Sequence, residues 1–130
     1  MNRTIVLTGI LMGALGIGLG AFGAHGLGKI VDAGAVETFE TGVRYQMYHA
    51  LFLLFLGILP GLGQTVRKRV FFLVVFGVVL FCFSIYLLSL NSLSSLDFGK
   101  IGFLTPLGGL LLIGAWLYTG AGLLTGKVLN

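Results

Sequence analysis

Six residues between positions 25 and 49 carry side chains that can bind a ligand or a metal. They are two histidines, a carboxylate, an arginine and two tyrosines: His25, Glu40, Arg44, Tyr45, Tyr48 and His49. Two imidazoles from neighbouring helices can ligate haem, or form part of a zinc site with nearby carboxylates. Arginine and tyrosine side chains can instead hold a lipid headgroup at the membrane surface. Either chemistry depends on the elements that position these residues.

The composition predicts an integral membrane protein. The chain has 130 residues, of which 57% are hydrophobic and 9% charged, and its mean hydropathy is +1.07. A soluble domain carries about 25% charged residues because its surface must stay hydrated. This chain has too few charged residues to form a hydrated outer surface, so that surface must face lipid. The net charge of +4 is spread over segment ends without a nucleic-acid motif, so we expect no nucleic-acid partner.

Four apolar stretches predict an all-α fold, a four-transmembrane-helix bundle that forms one integral membrane domain over residues 1–130. The predicted spans are residues 5–25, 45–63, 70–91 and 105–125. A bilayer core about 30 Å thick needs roughly 20 helical residues, and the apolar run 50–63 is too short to cross alone. The second span must therefore begin near Tyr45, which draws Gln46, Tyr48 and His49 into the membrane margin.

The residues before the second span predict an amphipathic interfacial helix between spans 1 and 2, covering residues 33–49. Its apolar residues recur at helical spacing: Val36, Phe39, Val43 and Met47. Glu40 and Arg44 are spaced for a favourable i, i+4 ion pair. The tyrosines can serve equally as an aromatic belt and Arg44 can extend to the headgroups, so a purely structural role for this cluster stays open.

The two histidines are expected to meet, because His25 ends the first span on the side where His49 begins the second. A haem or metal site there is one alternative. The other is that both histidines hydrogen-bond to the backbone or to acidic residues. Zinc needs three or four protein ligands, and only two are placed here, so we expect no metal and no cofactor.

A row of glycines in the first span predicts close helix packing. The glycines recur every three or four residues on one face: Gly9, Gly13, Gly16, Gly20 and Gly23. In lipid, such a face lets a second helix approach closely. A looser row of small residues makes the fourth span the expected partner, within the chain or in a homo-oligomer. The G-x-G-x-x-G pattern of residues 18–23 lies inside this helix with no strand before it, so we expect no nucleotide.

The charges and turn residues predict the topology. Arg3, the run Arg67-Lys68-Arg69 and Lys127 fall on one side, against Lys29, Arg44 and Lys100 on the other. This bias predicts that both termini are cytoplasmic. Residues 64–69 are predicted as a tight polar turn. Thr105 and Pro106 are predicted as the N-cap and first residue of the fourth helix.

Three stretches resemble the DUF423 family of small membrane proteins. They are residues 20–27 (GAFGAHGL), 39–51 (FETGVRYQMYHAL) and 105–109 (TPLGG). Residues 83–87 (FSIYL) are also similar to the F-S-x-S-L-Y region of the family, without its second serine. The resemblance implies a four-span protein of the bacterial plasma (inner) membrane without an established biochemical activity. The family pattern falls on seven positions of this chain: His25, Phe39, Tyr45, Tyr48, His49, Thr105 and Pro106.

The predicted function is non-enzymatic: a small bundle that binds a lipid or another apolar molecule, or supports a membrane complex. No nucleophile with a base and an orienting group can be identified. Membrane lipids are the expected partners, with headgroups at Arg44, Tyr45, Tyr48 and His49. One alternative is a small transporter or channel, although no predicted span contains Asp or Glu. Another is a haem- or metal-binding redox protein that uses His25 and His49.

Overall fold

A computed structural model of the chain describes residues 1–93 and 101–125, and every regular element in these ranges is helical. The α-helices are α1 Arg3–His25, α2 Ala33–Ile58, α3 Gln64–Val78, α4 Ser84–Ser89 and α5 Leu104–Leu124. A π-helical segment, Val79–Phe83, joins α3 to α4, so these form one long helix. Short 3-10 helices lie at Leu27–Lys29 and Asn91–Leu93. The all-α prediction is confirmed.

Three helical stretches are long and apolar enough to cross a membrane: Arg3–Lys29, Gln64–Ser89 and Leu104–Leu124. α2 is not among them because polar residues such as Gln46 and His49 interrupt its apolar sequence. The segment predicted as an interfacial helix is continuous with the second predicted span. Together they form the single helix α2, whose N-terminus is capped by the Asp32 side chain.

α1 packs antiparallel along α2, with its glycines at the contact. A Cβ added at Gly9 would lie 2.8 Å from the Ala50 carbonyl oxygen, and one at Gly23 would lie 3.1 Å from the Phe39 ring. The glycines between them meet three further α2 side chains in the order Gly13 to Ala50, Gly16 to Met47 and Gly20 to Val43. The five glycines therefore face α2. Within the chain, the partner is α2 and not the predicted fourth span, since α2 covers this face and offers larger side chains at matching intervals. A homo-oligomer, which stays a prediction, would need another surface.

α5 packs against α3 and the π segment through small residues. A Cβ added at Gly108 would lie 2.8 Å from the Gly77 carbonyl oxygen and 2.9 Å from the Leu80 carbonyl carbon, so the two backbones almost touch. Ala115, Thr119 and Gly122 continue this buried row along α5. Small residues therefore mediate this contact too, as expected in a membrane, but with α3 as the partner.

α5 begins at Leu104, with Phe103 as the N-cap residue, so the predicted N-cap Thr105 and first helical residue Pro106 are wrong by two positions. Thr105 and Pro106 consequently lie within the first turn, where Pro still removes no intrahelical hydrogen bond. The Thr105 hydroxyl lies 2.6 Å from the hydroxyl of Ser84. This hydrogen bond joins α5 to α4.

The chain turns between α2 and α3 at residues 59–63. Pro60 follows the end of α2, and Gly61 has φ 81°, a left-handed conformation that favours glycine. Residues 64–69, predicted as the turn, are instead the start of α3. Gln, Lys and Arg have high helix propensity. α3 therefore begins directly after its N-cap residue, Gly63.

The antiparallel order places the N-terminus, the α2–α3 turn and the C-terminal part of α5 at one end of the molecule. Asn2 N–H donates to the Gly57 carbonyl at 2.8 Å, and Arg69 on α3 reaches Tyr118 on α5. We call residues 1–4, 57–69 and 118–125 the basic end. Its described charged side chains are all cationic: Arg3, Arg67, Lys68 and Arg69. Lys100 and Lys127, which enter the predicted charge bias, lie outside the described residues.

Candidate functional site

Five of the six predicted ligand residues lie on α2 and one lies apart. Along α2, Glu40 is half-buried, Arg44, Tyr45 and Tyr48 are exposed, and His49 is buried. His25 is exposed in the last turn of α1. The predicted cluster is therefore divided between an outward-facing group and one inward-facing histidine.

The expected meeting of His25 and His49 does not occur. His25 lies beyond the contact between Gly23 and Phe39, at the far end of the α1–α2 pair. The helix rise between Phe39 and His49 is roughly 15 Å, whereas a metal and its nitrogen ligand lie about 2 Å apart. One metal or haem iron cannot contact both histidines in this arrangement. The prediction assumed that the second span begins near Tyr45, beside the end of α1. α2 instead already contacts the end of α1 at Phe39, so His49 lies further along the helix.

His49 lies at mid-depth of the bundle, with both ring nitrogens engaged. Its contact level on α1 is near Gly13, the middle of that helix, and its side chain is 3% exposed. The indole N–H of Trp116 donates to His49 Nε2 at 3.1 Å. The other ring nitrogen, Nδ1, lies 2.7 Å from the Tyr45 carbonyl oxygen and therefore carries the hydrogen. His49 is thus a neutral imidazole that joins α2 to α5.

A small cleft of about 260 Å³ opens beside this hydrogen bond. Its lining comes from α2, the π segment and α5: Tyr45, His49, Phe81, Gly109, Leu112, Ile113 and Trp116. Trp116 packs on Phe52 with ring centroids 4.4 Å apart, and Tyr45 packs on Phe81 at 4.9 Å. The cleft is aromatic, and its one imidazole already has two hydrogen-bond partners. This arrangement favours helix packing over acid–base chemistry.

The expected ion pair between Glu40 and Arg44 does not form in the described part of the chain. The Arg44 guanidinium instead donates to the Thr41 hydroxyl at 3.0 Å, within the same helix. Tyr45 and Tyr48 contact each other edge to face, with ring centroids 5.5 Å apart. These exposed residues form a polar and aromatic surface on the outward face of α2, from mid-depth at Tyr48 toward the end opposite the basic end at Arg44.

Gln46 forms a second buried polar connection that the sequence alone did not reveal. Its Nε2 donates to the Met12 carbonyl on α1 at 2.9 Å, and its Oε1 accepts from the Tyr86 hydroxyl on α4 at 2.7 Å. One side chain therefore joins three helices. The available signal was a glutamine within the second predicted span, since such residues must find partners inside the bundle.

Arg67 is buried and neutralises the end of α2. Its guanidinium donates to the carbonyls of Leu56, Leu59 and Leu62, at 2.8 Å for Leu59 and 3.0 Å for Leu62. The last carbonyls of a helix lack intrahelical partners and carry partial negative charge. Arg67 supplies both the hydrogen bonds and the positive charge. The sequence indicated Arg67 only as one of the charges that favour the cytoplasmic side. Its burial could not be predicted, because it depends on the position of the turn between α2 and α3.

A groove of about 700 Å³ lies between α3 and α5, open to the side of the bundle. Its walls are apolar except at one end: Arg69, Phe72, Leu73, Phe76, Leu80, Leu111 and Tyr118. Arg69 Nη1 donates to the Tyr118 hydroxyl at 2.8 Å, which closes the groove at the basic end. The groove was not predicted because it depends on the register between two helices distant in sequence.

A family described as "Protein of unknown function (DUF423)" matches residues 19–109 of the chain. The chain belongs to the DUF423 family. It is 38% identical over 115 residues to a UPF0382 membrane protein of Staphylococcus saprophyticus, covering 88% of this chain and 92% of that protein. It is 40% identical over 120 residues to the UPF0382 membrane protein YwdK of Bacillus subtilis, covering 88% and 91%. No solved structure matches the chain.

The DUF423 resemblance is thereby confirmed, and the chain is a membrane protein. Its matched region runs from the end of α1 to the start of α5 and includes Gln46, His49 and Arg67. Trp116 and Tyr118 lie beyond the region that the DUF423 family model matches. The relatives are named only as membrane proteins, so function must be argued from the structure of this DUF423 chain.

Trp116 is the one tryptophan of this DUF423 protein, so its fluorescence reports on the contact with His49. We expect His49→Leu to shift the emission to shorter wavelength, because the indole N–H loses its polar partner. The cost in stability is expected to be small, about 0.6 kcal/mol for one such bond in a membrane. The folded protein can therefore be measured.

His25→Leu is the matched control for the fluorescence measurement. His25 is exposed at the end of α1, away from Trp116, so the emission spectrum should stay as in the wild type. Equal spectral changes in both histidine variants would contradict the specific contact between His49 and Trp116.

Proposed function

We propose that this DUF423 protein is a non-enzymatic four-span bundle of the bacterial plasma membrane that holds a lipid in the groove between α3 and α5. The observation that carries the proposal is the groove itself: it is open to the side of the bundle, apolar along its length and polar at one end. Its volume of about 700 Å³ is within the range typical of ligand pockets, about 300–1,000 Å³.

The proposal treats α2 as the fourth membrane span. α2 runs along the length of α1, from the Gly23–Phe39 contact to the hydrogen bond between Asn2 and Gly57. A helix paired over that length with a membrane span shares its depth. The polar residues that lower the hydropathy of α2, Gln46 and His49, face the interior and have partners there.

The orientation that we propose places the basic end and both termini in the cytoplasm. Arg3, Lys68 and Arg69 lie at this end, and basic residues favour the cytoplasmic side. The three described acidic residues, Asp32, Glu37 and Glu40, belong to the other half of the α1–α2 pair. The charge difference between the two ends supports the same orientation.

The length of the groove suits one acyl chain. From Arg69 to Leu80 the rise along α3 and the start of the π segment is roughly 16 Å, about half of a hydrocarbon core roughly 30 Å thick. A lipid chain in the cytoplasmic leaflet covers that depth. Phe72 and Phe76 present exposed aromatic rings to the groove, 44% and 57% accessible, so an acyl chain would cover surface that the protein leaves open.

The groove supports lipid binding better than the α2 cluster does. His49 lies at mid-depth, where headgroups do not reach, and both of its ring nitrogens are engaged. Arg44 is exposed near the opposite end and donates to its own helix. The α2 tyrosines are therefore proposed to face the acyl chains of surrounding lipid without selecting one, while the groove holds a specific lipid.

Native mass spectrometry of protein extracted with its lipids tests the proposal. The wild type should retain lipid, and Leu111→Trp should lose most of it because the larger side chain fills the groove. Leu117→Trp is the matched control, since Leu117 is 70% exposed on α5 outside the groove lining. A wild type without bound lipid, or equal retention in both variants, would contradict groove binding.

A further inference from the structure

The basic end holds more positive charge than the described chain neutralises. Arg67, Lys68 and Arg69 fall within the first six residues of α3, whose N-terminus is itself partially positive and has no acidic residue in its first turn. Arg67 is compensated by the carbonyls of Leu56, Leu59 and Leu62, at the end of α2 and in the following turn. Arg69 meets a neutral hydroxyl, and neither Lys68 nor Arg69 faces a described carboxylate. An external anion would reduce this repulsion.

Phe72 separates two clefts on the surface of α3, and Lys68 and Arg69 lie one helical turn before it. Phe72 is four residues after Lys68 and three after Arg69, so the three side chains share one side of α3. Phe72 lines the groove that ends at Arg69. It also lines a neighbouring cleft of about 300 Å³ that contains Lys68 and the polar side chains of Asn2, Thr4 and Gln64.

We propose that the lipid in the groove is an anionic phospholipid, an inference that rests on the proposed function. Its phosphate lies above Phe72 between Lys68 and Arg69, and Tyr118 holds the Arg69 guanidinium in place. One acyl chain follows the groove past Phe76 to Leu80. The neighbouring cleft receives the polar part of the headgroup, where Asn2, Thr4 and Gln64 supply hydrogen bonds.

The depth of Arg69 agrees with a phosphate contact. The helix Gln64–Ser89 has 26 residues. It is roughly 39 Å long, about 9 Å longer than the hydrocarbon core. If the excess is shared between the two ends, the Arg69 backbone lies a few ångströms inside the core, and its side chain extends to the phosphate level. The proposed cytoplasmic orientation also places the site in the leaflet where anionic lipids attract basic segments.

Competition between two lipids with identical acyl chains tests the proposal. The full-length protein is incubated with mixed micelles of equal phosphatidylglycerol and phosphatidylcholine, and the bound lipids are counted by native mass spectrometry. Each basic residue near an anionic lipid contributes roughly fivefold, so the wild type should prefer phosphatidylglycerol by on the order of tenfold or more. Lys68→Gln/Arg69→Gln should reduce the preference to about one while lipid is still retained.

Two further variants keep the test specific. Arg44→Gln removes an exposed cation near the opposite end and should keep the preference. Arg69→Lys conserves the charge and should also keep most of it, which covers the case in which the double variant fails to fold. Lipid retention without a preference in the wild type would overturn the anionic inference alone. Equal loss of preference in Arg44→Gln would overturn the site, and no retained lipid would overturn the proposed function itself.

Discussion

Replacing Arg67 by methionine should lower the free energy of unfolding by about 3 kcal/mol, with the loss concentrated at the junction of α2 and α3. The unbranched apolar side chain of methionine replaces the aliphatic part of arginine but donates no hydrogen bond. Three carbonyls would lose their donor: that of Leu56 in the last turn of α2 and those of Leu59 and Leu62 in the turn that follows. Hydrogen bonds from a charged group contribute about 1.5–3 kcal/mol each, and buried groups left unpaired cost a similar amount.

Unfolding in mixed micelles with increasing dodecyl sulfate, followed by far-ultraviolet circular dichroism, measures the loss. Lys68→Met is the matched control because Lys68 is the next residue of α3 and is exposed. Its unfolding free energy should change by about 0.5 kcal/mol or less, as at other surface sites. If Arg67→Met and Lys68→Met unfold at the same dodecyl sulfate fraction, Arg67 does not stabilise the end of α2.

Replacing Gly108 by alanine should destabilise the bundle more than its single methyl group suggests. The added Cβ would lie against the backbone nitrogen of Phe81, 2.8 Å from the Gly77 carbonyl oxygen and 2.9 Å from the Leu80 carbonyl carbon. Backbone atoms cannot rotate away as a side chain can, so α5 must move away from α3. Overpacking of this kind typically costs about 1–3 kcal/mol.

Gly114→Ala provides the matched control on the same helix. No atom lies within 4 Å of a Cβ added at Gly114, so the methyl group meets open space. Alanine has a higher helix propensity than glycine by up to about 1 kcal/mol, and the variant should therefore be as stable as the wild type or more so. The thermal unfolding midpoints of Gly108→Ala and Gly114→Ala in detergent measure this difference in stability. Equal midpoints would show that α3 and α5 are not in close contact at Gly108.

The Gly108 substitution also links packing to the proposed lipid site. The groove between α3 and α5 depends on the distance and register that Gly77 and Gly108 allow. If α5 moves outward, Arg69 and Tyr118 separate and the polar end of the groove opens. We therefore expect Gly108→Ala to retain less lipid than Gly114→Ala at temperatures where both are folded.

Local sequence features predicted the elements well and their partners less well. The glycine row of α1 predicted a close contact, because small residues expose the backbone whatever the partner is. The identity of the partner required the α1–α2 register, which aligns Gly23 with Phe39 and Gly9 with Ala50. Composition could not distinguish α2 from α5 as the partner, since both contain residues that fit a small face.

The depth of the polar residues was harder to predict. Hydropathy alone places Gln46 and His49 at the membrane margin. It assigns each residue the free energy of transfer from water to lipid, as if every side chain faced lipid. Inside the bundle, Gln46 contacts Met12 and Tyr86, while His49 contacts Trp116, and these partners lower that cost. The same reasoning missed Arg67, whose charge is compensated by carbonyls that only a particular turn brings near.

The sequence by itself determined that this protein is helical, lies in a membrane, packs through glycine and belongs to DUF423, because hydropathy, residue size and local motifs act over a few neighbouring residues. Only the tertiary structure decided that His25 and His49 are apart, that Arg67 is buried and that Arg69 and Tyr118 close a groove. These outcomes depend on the register between helices far apart in the chain. That register is set by the sum of many weak packing contacts, which no single segment contains.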